Sequence, residues 1–413
     1  MADLWRRSAG RTRTLNNLRP STTDHRADLW LLLACSFGTA TANSVIFAAL
    51  GDLQDTYHFA ESGLGLIAGA GFLTGLLVQL FIAPFADRGH SKRLIIIGLI
   101  LAGTGSVLFS TGTSLTQFIL ARAVVGSSFG FVFPAVRALA ANLDTDRRGE
   151  RLGRVASIEL LGFVCGPLLG GILIDPIGLS ATFFVVGLVA FVTVVIVAPR
   201  KFPTLVETGE SQKLSLELLR DPRIVVAVLV VMAIQLPVGV FDALWDRYLT
   251  DLGGSNMMVG FSFALYGVPF ILLSSAGGKI ADRGNPQRIA LWSMLVVAPF
   301  VFFYGFFDIL WIVVGLNIFE GIAQAVAFPA TVAAVAKAAP NGRASAAQGL
   351  SGSAGLVGAM LMAFTMPSVY GRYGPTVTFG LVFVIMVALT AAAAILHARL
   401  ERAENINREN LLS

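Results

Sequence analysis

The chain has 413 residues, of which 55% are hydrophobic and 13% are charged, and its formal net charge is +5. Soluble globular domains carry about 25% charged residues, so the composition excludes a soluble globular protein. Apolar runs of about 20 residues, long enough to cross a bilayer, recur along the chain and predict a polytopic membrane protein. The positive charge does not indicate nucleic-acid binding, because the basic residues lie in loops between these runs. Cys35 and Cys165 lie inside apolar runs with no second ligand at metal-binding spacing, which predicts packed thiols and no metal site.

We predict an all-α membrane protein of about twelve transmembrane helices. The predicted spans are 28–50, 63–86, 93–112, 115–141, 153–174, 179–198, 223–249, 256–281, 288–307, 309–338, 344–368 and 374–398. They divide the chain into an N-terminal tail (1–27), an N-terminal six-helix half (28–198), a linker (199–222), a C-terminal six-helix half (223–398) and a C-terminal tail (399–413). Leucines alternate with charged residues at 213–220, which predicts a short linker helix on the membrane surface.

Lysine and arginine set the predicted orientation. With both termini in the cytoplasm, all but four of the 30 basic residues fall on the cytoplasmic side, as the positive-inside rule requires. Arg247 and Arg372 fall outside, and Arg122 and Arg137 lie within spans. We therefore expect an integral protein of a bacterial or archaeal inner membrane, with both tails cytoplasmic.

The chain contains an internal duplication. Ala86-Asp87-Arg88-Gly89 returns as Ala281-Asp282-Arg283-Gly284 after 195 residues, each time in a turn between apolar runs. At the same displacement, the segment 126–135 returns as 321–330, each ending in Phe-Pro-Ala. Two matches in register predict two homologous halves, a common construction of secondary transporters.

Six spans, a linker, six spans and a repeated Asp-Arg-Gly turn resemble the major facilitator superfamily over residues 28–398. Ala83 and His90 replace glycines of the family's turn motif in the first copy, and Asn285 replaces the second glycine in the other copy. The resemblance implies a gating role for the turns, since an aspartate there can contact a helix N-terminus in one orientation of the halves and lose it in the other. The residues in these turns are Asp87, Arg88, Lys92, Arg93, Asp282, Arg283 and Arg288.

Two further motifs narrow the resemblance. Arg122 through Gly126 is similar to the family's Arg-x-x-Gln-Gly motif, with Val125 in place of glutamine, and a buried arginine is expected to face a cavity. In the fifth span, glycines at four-residue spacing offer a smooth face for close packing, and a proline bends the helix. This string matches the motif of the drug:proton antiporter branch through Gly162, Gly166, Pro167, Gly170 and Gly171.

Acids at membrane depth are the candidate coupling sites: Glu159 in the fifth span, Glu320 in the tenth and Asp242 in the seventh. Away from water a carboxyl group favours its protonated form and can exchange a proton, so we expect roles in proton or substrate coupling, shared with Arg122. Asp246, one turn beyond Asp242, is expected at the surface.

Other polar and aromatic residues are candidate cavity linings. They are Asn43, Gln235, Asn317, Gln324, Phe129, Phe133, Phe241, Trp245 and Phe328. The sequence contains no phosphate-binding loop and no nucleophile–base constellation, which argues against an ATP-driven pump and against an enzyme. We therefore predict a monomeric proton-coupled exporter of amphipathic or cationic small molecules, energised by a proton gradient without a cofactor. Two alternatives stay open: a transporter of a sugar, metabolite or lipid, and a membrane sensor or scaffold.

Overall fold

Twelve long helices, α1 to α12, make up most of the computed structural model, which describes residues 22–82, 85–143, 148–202, 216–340 and 343–412. Those of the N-terminal half are α1 (Thr22–Ser44), α2 (Glu61–Phe81), α3 (Ser91–Thr111), α4 (Leu115–Leu143), α5 (Arg148–Ile177) and α6 (Leu179–Val197). Those of the C-terminal half are α7 (Pro222–Asp251), α8 (Asn256–Arg283), α9 (Pro286–Tyr304), α10 (Leu310–Ala338), α11 (344–373) and α12 (375–412). The described residues contain no β-strand.

The break between α11 and α12 lies at Gly374, inside one continuous run of 69 helical residues. A straight helix of that length would extend about 100 Å, whereas the hydrocarbon core of a bilayer is about 30 Å thick. Gly374 has a φ of 76°, which glycine adopts without a Cβ clash, and Pro375 follows it. The run therefore crosses the membrane twice, and the eleven apolar helical segments provide twelve crossings, as predicted.

Helix starts follow local chemistry. Asp221 and Asn285 cap the N-termini of α7 and α9, each with proline as the first helical residue, and Ser255 caps α8. Such caps satisfy backbone N–H groups that have no partner within the helix. The polar residues that precede these helices thus carry folding information in addition to charge.

The first half of the chain departs from the predicted spans after Ser44. The chain forms a 3₁₀ turn (Val45–Ala48) and then a separate short helix (Leu50–Tyr57), where the sequence predicted the end of a span and a loop. In the linker, a 3₁₀ helix (Leu216–Arg220) buries Leu218 and exposes Leu216, while Lys213 and Leu214 lie outside the described residues. The last helix continues through the predicted C-terminal tail to Leu412, because residues 399–412 are mostly good helix formers.

Each half has its own apolar core, and the halves meet mainly through two helix pairs, α5 with α8 and α2 with α11. We call the end of the bundle that bears Asp55 the Asp55 end and the opposite end, which bears His90, the His90 end. The lysine and arginine pattern predicts that the Asp55 end faces out. Several side chains bond across the two halves toward the Asp55 end.

Candidate functional site

A buried ion pair joins the halves. Arg122 of α4 donates from Nη2 to Oδ2 of Asp242 on α7 over 2.7 Å. The two residues are only 4% and 2% exposed. Arg122 lies about seven residues, or roughly 10 Å, along α4 from its first residue, so the pair lies at membrane depth. The sequence predicted both residues as coupling candidates, and the structure brings them together.

The Arg122 guanidinium has two further contacts. Nη1 donates to the carbonyl oxygen of Asn43 over 2.5 Å, and the group lies 5.6 Å from the centre of the Phe47 ring. Phe47 in turn meets Phe263 of the other half, with 5.7 Å between ring centroids. Asn43 is held by a 3.0 Å bond to Ser128 Oγ. The arginine is therefore positioned by the end of α1 as well as by the carboxylate.

Asp246 is buried, so the prediction that it lies at the surface is wrong. It is 1% exposed, and its Oδ2 accepts the backbone N–H of Gly51 over 2.6 Å. Asp242 and Asp246 are four residues apart, which places them on one face of α7. That spacing was the available signal: an acid one turn from a buried acid at an interface faces the same interface.

A surface layer closes the Asp55 end above Asp246. Arg247 donates to Asp55 over 2.5 Å across the halves and to Asp251 over 2.6 Å. Asn256 likewise crosses the halves, donating to Asp52 at 2.8 Å and Asp175 at 2.9 Å. Burial raises the pKa of Asp52, with smaller contributions from the nearby charges of Asp175 and Asp55, while the Asn256 bond acts in the opposite direction.

Glu320 lies away from this interface. It is fully buried in the C-terminal half and accepts a 2.6 Å hydrogen bond from the hydroxyl of Tyr304 on α9. Glu159 of α5 is also buried and pairs with Arg137 of the same half. The three predicted coupling acids therefore occupy three separate sites, and within the described part of the chain only the site of Asp242 bridges the halves.

The glycines of α5 lie against α1. A Cβ at Gly166 would come within 2.0 Å of Ser44 Oγ and 2.8 Å of the Thr41 carbonyl oxygen. Gly162 and Gly170 lie at the same close contact, and the hydroxyl of Thr41 donates to the Gly162 carbonyl over 3.3 Å. Gly171 faces the other half instead, at the start of α8. The string thus fixes α1, which positions Asn43 and the Arg122 pair.

The predicted cavity residues divide into several environments. Trp245 is buried within the C-terminal half, where its indole N–H donates to Ser262 and its ring contacts Phe241 and Tyr304. Trp245 therefore packs in an aromatic cluster in this conformation, and its place in the wall of a central cavity stays a prediction. The amide of Asn317 bonds to carbonyls of its own helix, and Gln324 is buried. The remaining candidates are Phe133, which is buried, Gln235 and Phe129, which are half-buried, and Phe328, which is exposed.

The two turns predicted to act as gates differ in structure. In the first (Ala86–His90), Gly89 has a φ of 84°, whereas Gly284 of the second has an extended backbone. Arg88 lies 5.0 Å from the Phe85 ring centre, Lys92 donates to the Ala198 carbonyl over 2.8 Å, and Arg93 is exposed. In the second turn Asp282 and Arg283 are exposed, and Arg288 pairs with Glu401 over 2.9 Å. The side chain of Asp87 and residues 83–84 lie outside the described residues, so the gating role stays a prediction.

The fold of two six-helix halves, with its repeated turns and interface charges, defines a membrane transporter. The sequence model of the Major Facilitator Superfamily matches residues 32–248 and 238–411, and the chain belongs to this family. It resembles the drug-antiporter branch. Members are integral membrane proteins that carry small molecules, which agrees with the predicted fold and class.

Similar proteins include multidrug resistance proteins. The chain is 25% identical to the multidrug resistance protein MdtG of Proteus mirabilis over 292 residues, 67% of this chain and 73% of the relative. It is 28% identical to the MFS-type transporter YuxJ of Bacillus subtilis over 296 residues, 68% and 75% of the two chains.

Solved structures share the fold. A bacterial homolog of the human lysosomal transporter Spinster, in an inward-facing and occupied conformation, aligns with a TM-score of 0.75 at 16% identity, covering 92% of this chain and 98% of that one. A variant of the nucleoside transporter NupG aligns with a TM-score of 0.76 at 11% identity, covering 89% and 99%.

Proposed function

We propose that this protein is a proton-coupled exporter of amphipathic, cationic small molecules that works by alternating access. The observation that carries the proposal is the buried Arg122–Asp242 pair, because it links the two halves through a carboxylate that a cation can compete for. The similarity to MdtG supports multidrug export as the physiological activity.

The chemistry of competition gives the pair its role. Two buried charges stay in the bilayer at modest cost only while each compensates the other. A cationic substrate that enters from the His90 end and pairs with Asp242 displaces Arg122, which keeps the Asn43 carbonyl and the Phe47 ring as partners. The link between the halves is then lost, and the Asp55 end is free to open toward the outside.

The geometry also bears on the alternatives. An anionic metabolite would need Arg122, which is occupied by Asp242 in this conformation. We therefore favour a cationic substrate over an anionic one. Glu159 and Glu320 have no partner across the halves among the described contacts, and we assign them secondary roles.

The test is transport in proteoliposomes. The protein is reconstituted, a pH gradient of either sign is imposed, and uptake is measured for the lipophilic cation ethidium, a neutral amphiphile, a nucleoside and a sugar. We expect ethidium to move against its gradient only when protons flow down theirs in the opposite direction. Asp242→Asn should reduce ethidium transport at least tenfold and should affect transport of the neutral amphiphile less. The exposed Asp308→Asn serves as a matched control.

Three results would contradict the proposal. Equal ethidium rates with and without the pH gradient would exclude proton coupling. Transport of the nucleoside or sugar alone would favour the metabolite alternative. Movement of no compound, in a folded protein, would favour a sensor or scaffold.

A further inference from the structure

Asp242 and Asp246 face the same interface but have different partners. Asp242 meets a guanidinium, whereas Asp246 meets only the neutral backbone amide of Gly51. The second oxygen of Asp246 has no hydrogen-bond partner within the described residues and is fully buried. Arg247 is adjacent in sequence, but its guanidinium pairs with Asp55 and Asp251 at the surface. Closing the Asp55 end therefore buries one acid with a compensating cation and one without.

The Gly51 amide is available because the helix is broken there. Gly51 lies in the first turn of the helix Leu50–Tyr57, where backbone N–H groups have no partner within the helix. A carboxyl oxygen from α7 satisfies this N–H across the halves. A carboxylic acid accepts such a bond through one oxygen as a carboxylate does, so the contact survives protonation.

We propose that Asp246 is a proton-carrying gate residue: a proton from the Asp55 side binds Asp246 while that end is open, and the proton neutralises the acid so that the end can close over it. Burying an unpaired carboxylate is strongly unfavourable, and the neutral acid avoids most of this cost. The inference deepens the proposed function and rests on it, since it names the residue that loads the proton for the return step.

The sign of the effect agrees with export by antiport. Protons are loaded outside, they favour closure of the outer end, and the protein then faces the cytoplasm, where they leave and substrate enters. A cation at Asp242, one turn away on the same face, opposes a proton at Asp246 by charge repulsion. Proton release and substrate binding are thus coupled through two neighbouring acids.

Other titratable and charged groups surround Asp246 and enter the test as controls. The charged neighbours are Asp52 and Asp55 on the short helix and Arg247 and Asp251 on its own helix. Arg122 on α4 pairs with Asp242, one helical turn away. Tyr370 of α11 donates its hydroxyl to Asp251, and Glu61 of α2 lines the same surface recess as Arg247. Asp52 is the closest competitor, because burial at this end raises its pKa.

The experiment measures closure directly and does not depend on a substrate. Spin labels are attached at Thr116 and Arg372, two exposed residues on opposite halves at the Asp55 end, in a Cys35→Ala, Cys165→Ala background. Their distance distribution is recorded in lipid nanodiscs between pH 8.5 and pH 5, without substrate, in the parent and in Asp246→Asn. Asp246→Ser is a second neutral variant in case the first fails to fold, and Asp52→Asn is the matched acid control.

We expect acidification to shift the parent toward the short distance, with the closed-to-open ratio rising by up to about tenfold per pH unit. Asp246→Asn and Asp246→Ser should be closed at every pH, and Asp52→Asn should keep most of the parent's response. The inference is overturned if either neutral variant titrates as the parent does, or if the parent does not respond to pH.

The two proposals fail separately. Proton-driven ethidium transport together with an unchanged pH response in Asp246→Asn would reject the gate residue and leave the exporter intact. Closure that depends on Asp246, in a protein whose transport ignores the proton gradient, would reject proton-coupled export and leave the gate.

Discussion

The Arg122–Asp242 pair makes a quantitative prediction. Removing one partner of a buried ion pair leaves an unpaired charge and costs about 3 to 5 kcal/mol. Because the two residues belong to different halves, this cost falls on the conformation closed at the Asp55 end rather than on the folding of either half. We therefore expect Arg122→Met or Asp242→Asn to lower the closed-to-open ratio by about 100-fold or more.

The structure also predicts which single variant is worse. After Asp242→Asn, Arg122 keeps the Asn43 carbonyl and the Phe47 ring. After Arg122→Met, Asp242 keeps no hydrogen-bond donor among the contacts in the described part of the chain. The arginine variant should be the more severe at a pH high enough to keep Asp242 ionised, because a protonated Asp242 avoids most of the cost.

A double-mutant cycle measures the coupling. The double variant Arg122→Met, Asp242→Asn lacks both charges. Its closed-to-open ratio should therefore return most of the way to that of the parent, which corresponds to a coupling energy above about 2 kcal/mol. The labels at Thr116 and Arg372 report the ratio, and the melting temperature in detergent controls for folding. Additive effects, with a coupling below about 0.5 kcal/mol, would refute the view that this pair holds the halves together.

Three further predictions are independent of the pair. Single cysteines at Asp55 and Arg372 should react with an impermeant thiol reagent in intact cells, whereas those at His90 and Lys213 should not. Labelling at Lys213 would contradict the orientation inferred from the basic residues. Gly166→Leu should lower the melting temperature and the transport rate, because the new side chain collides with Ser44 and Thr41. The control Gly153→Ala on the same helix has nothing within 4 Å of its Cβ and should leave both unchanged, and equal melting temperatures of the two variants would exclude the close contact at Gly166. Glu320→Gln keeps an acceptor for Tyr304, so stability should change by about 1 kcal/mol or less, and proton flux that matches the parent would assign Glu320 a structural role.

The sequence predicted the number of spans and the existence of buried charge, because both follow from hydropathy. It did not predict which partner each charge has. Arg122 pairs with Asp242 and Glu159 with Arg137, choices that depend on how each helix is rotated about its axis. This rotation is set by packing, such as the contact of the α5 glycines with α1. The hydrophobic periodicity of a span reveals little of its rotation, because a membrane helix is apolar on nearly every face.

The duplication explains why the closed end contains an unpaired acid. Gly51 and Asp246 are 195 residues apart, the displacement that relates the two copies of the turn, so they occupy equivalent positions in the halves. A contact between equivalent positions lies close to the axis that relates the halves. The helix α7 runs unbroken through its position, whereas the equivalent part of the first half is divided into α1, a 3₁₀ turn and a short helix.

That difference between the halves creates the gate. The break frees a backbone N–H at the axis, and the unbroken copy presents a carboxyl group to it. By the same displacement, Asp242 is the equivalent of Phe47, and Arg122 contacts both of them. A duplicated scaffold gives the two halves equivalent helix positions at the axis. Acids in the second copy then place Asp246 opposite the backbone N–H of Gly51 and Asp242 opposite Arg122. Asp246, which binds the proton, and Asp242, which pairs with Arg122 across the halves, are therefore one helical turn apart on α7.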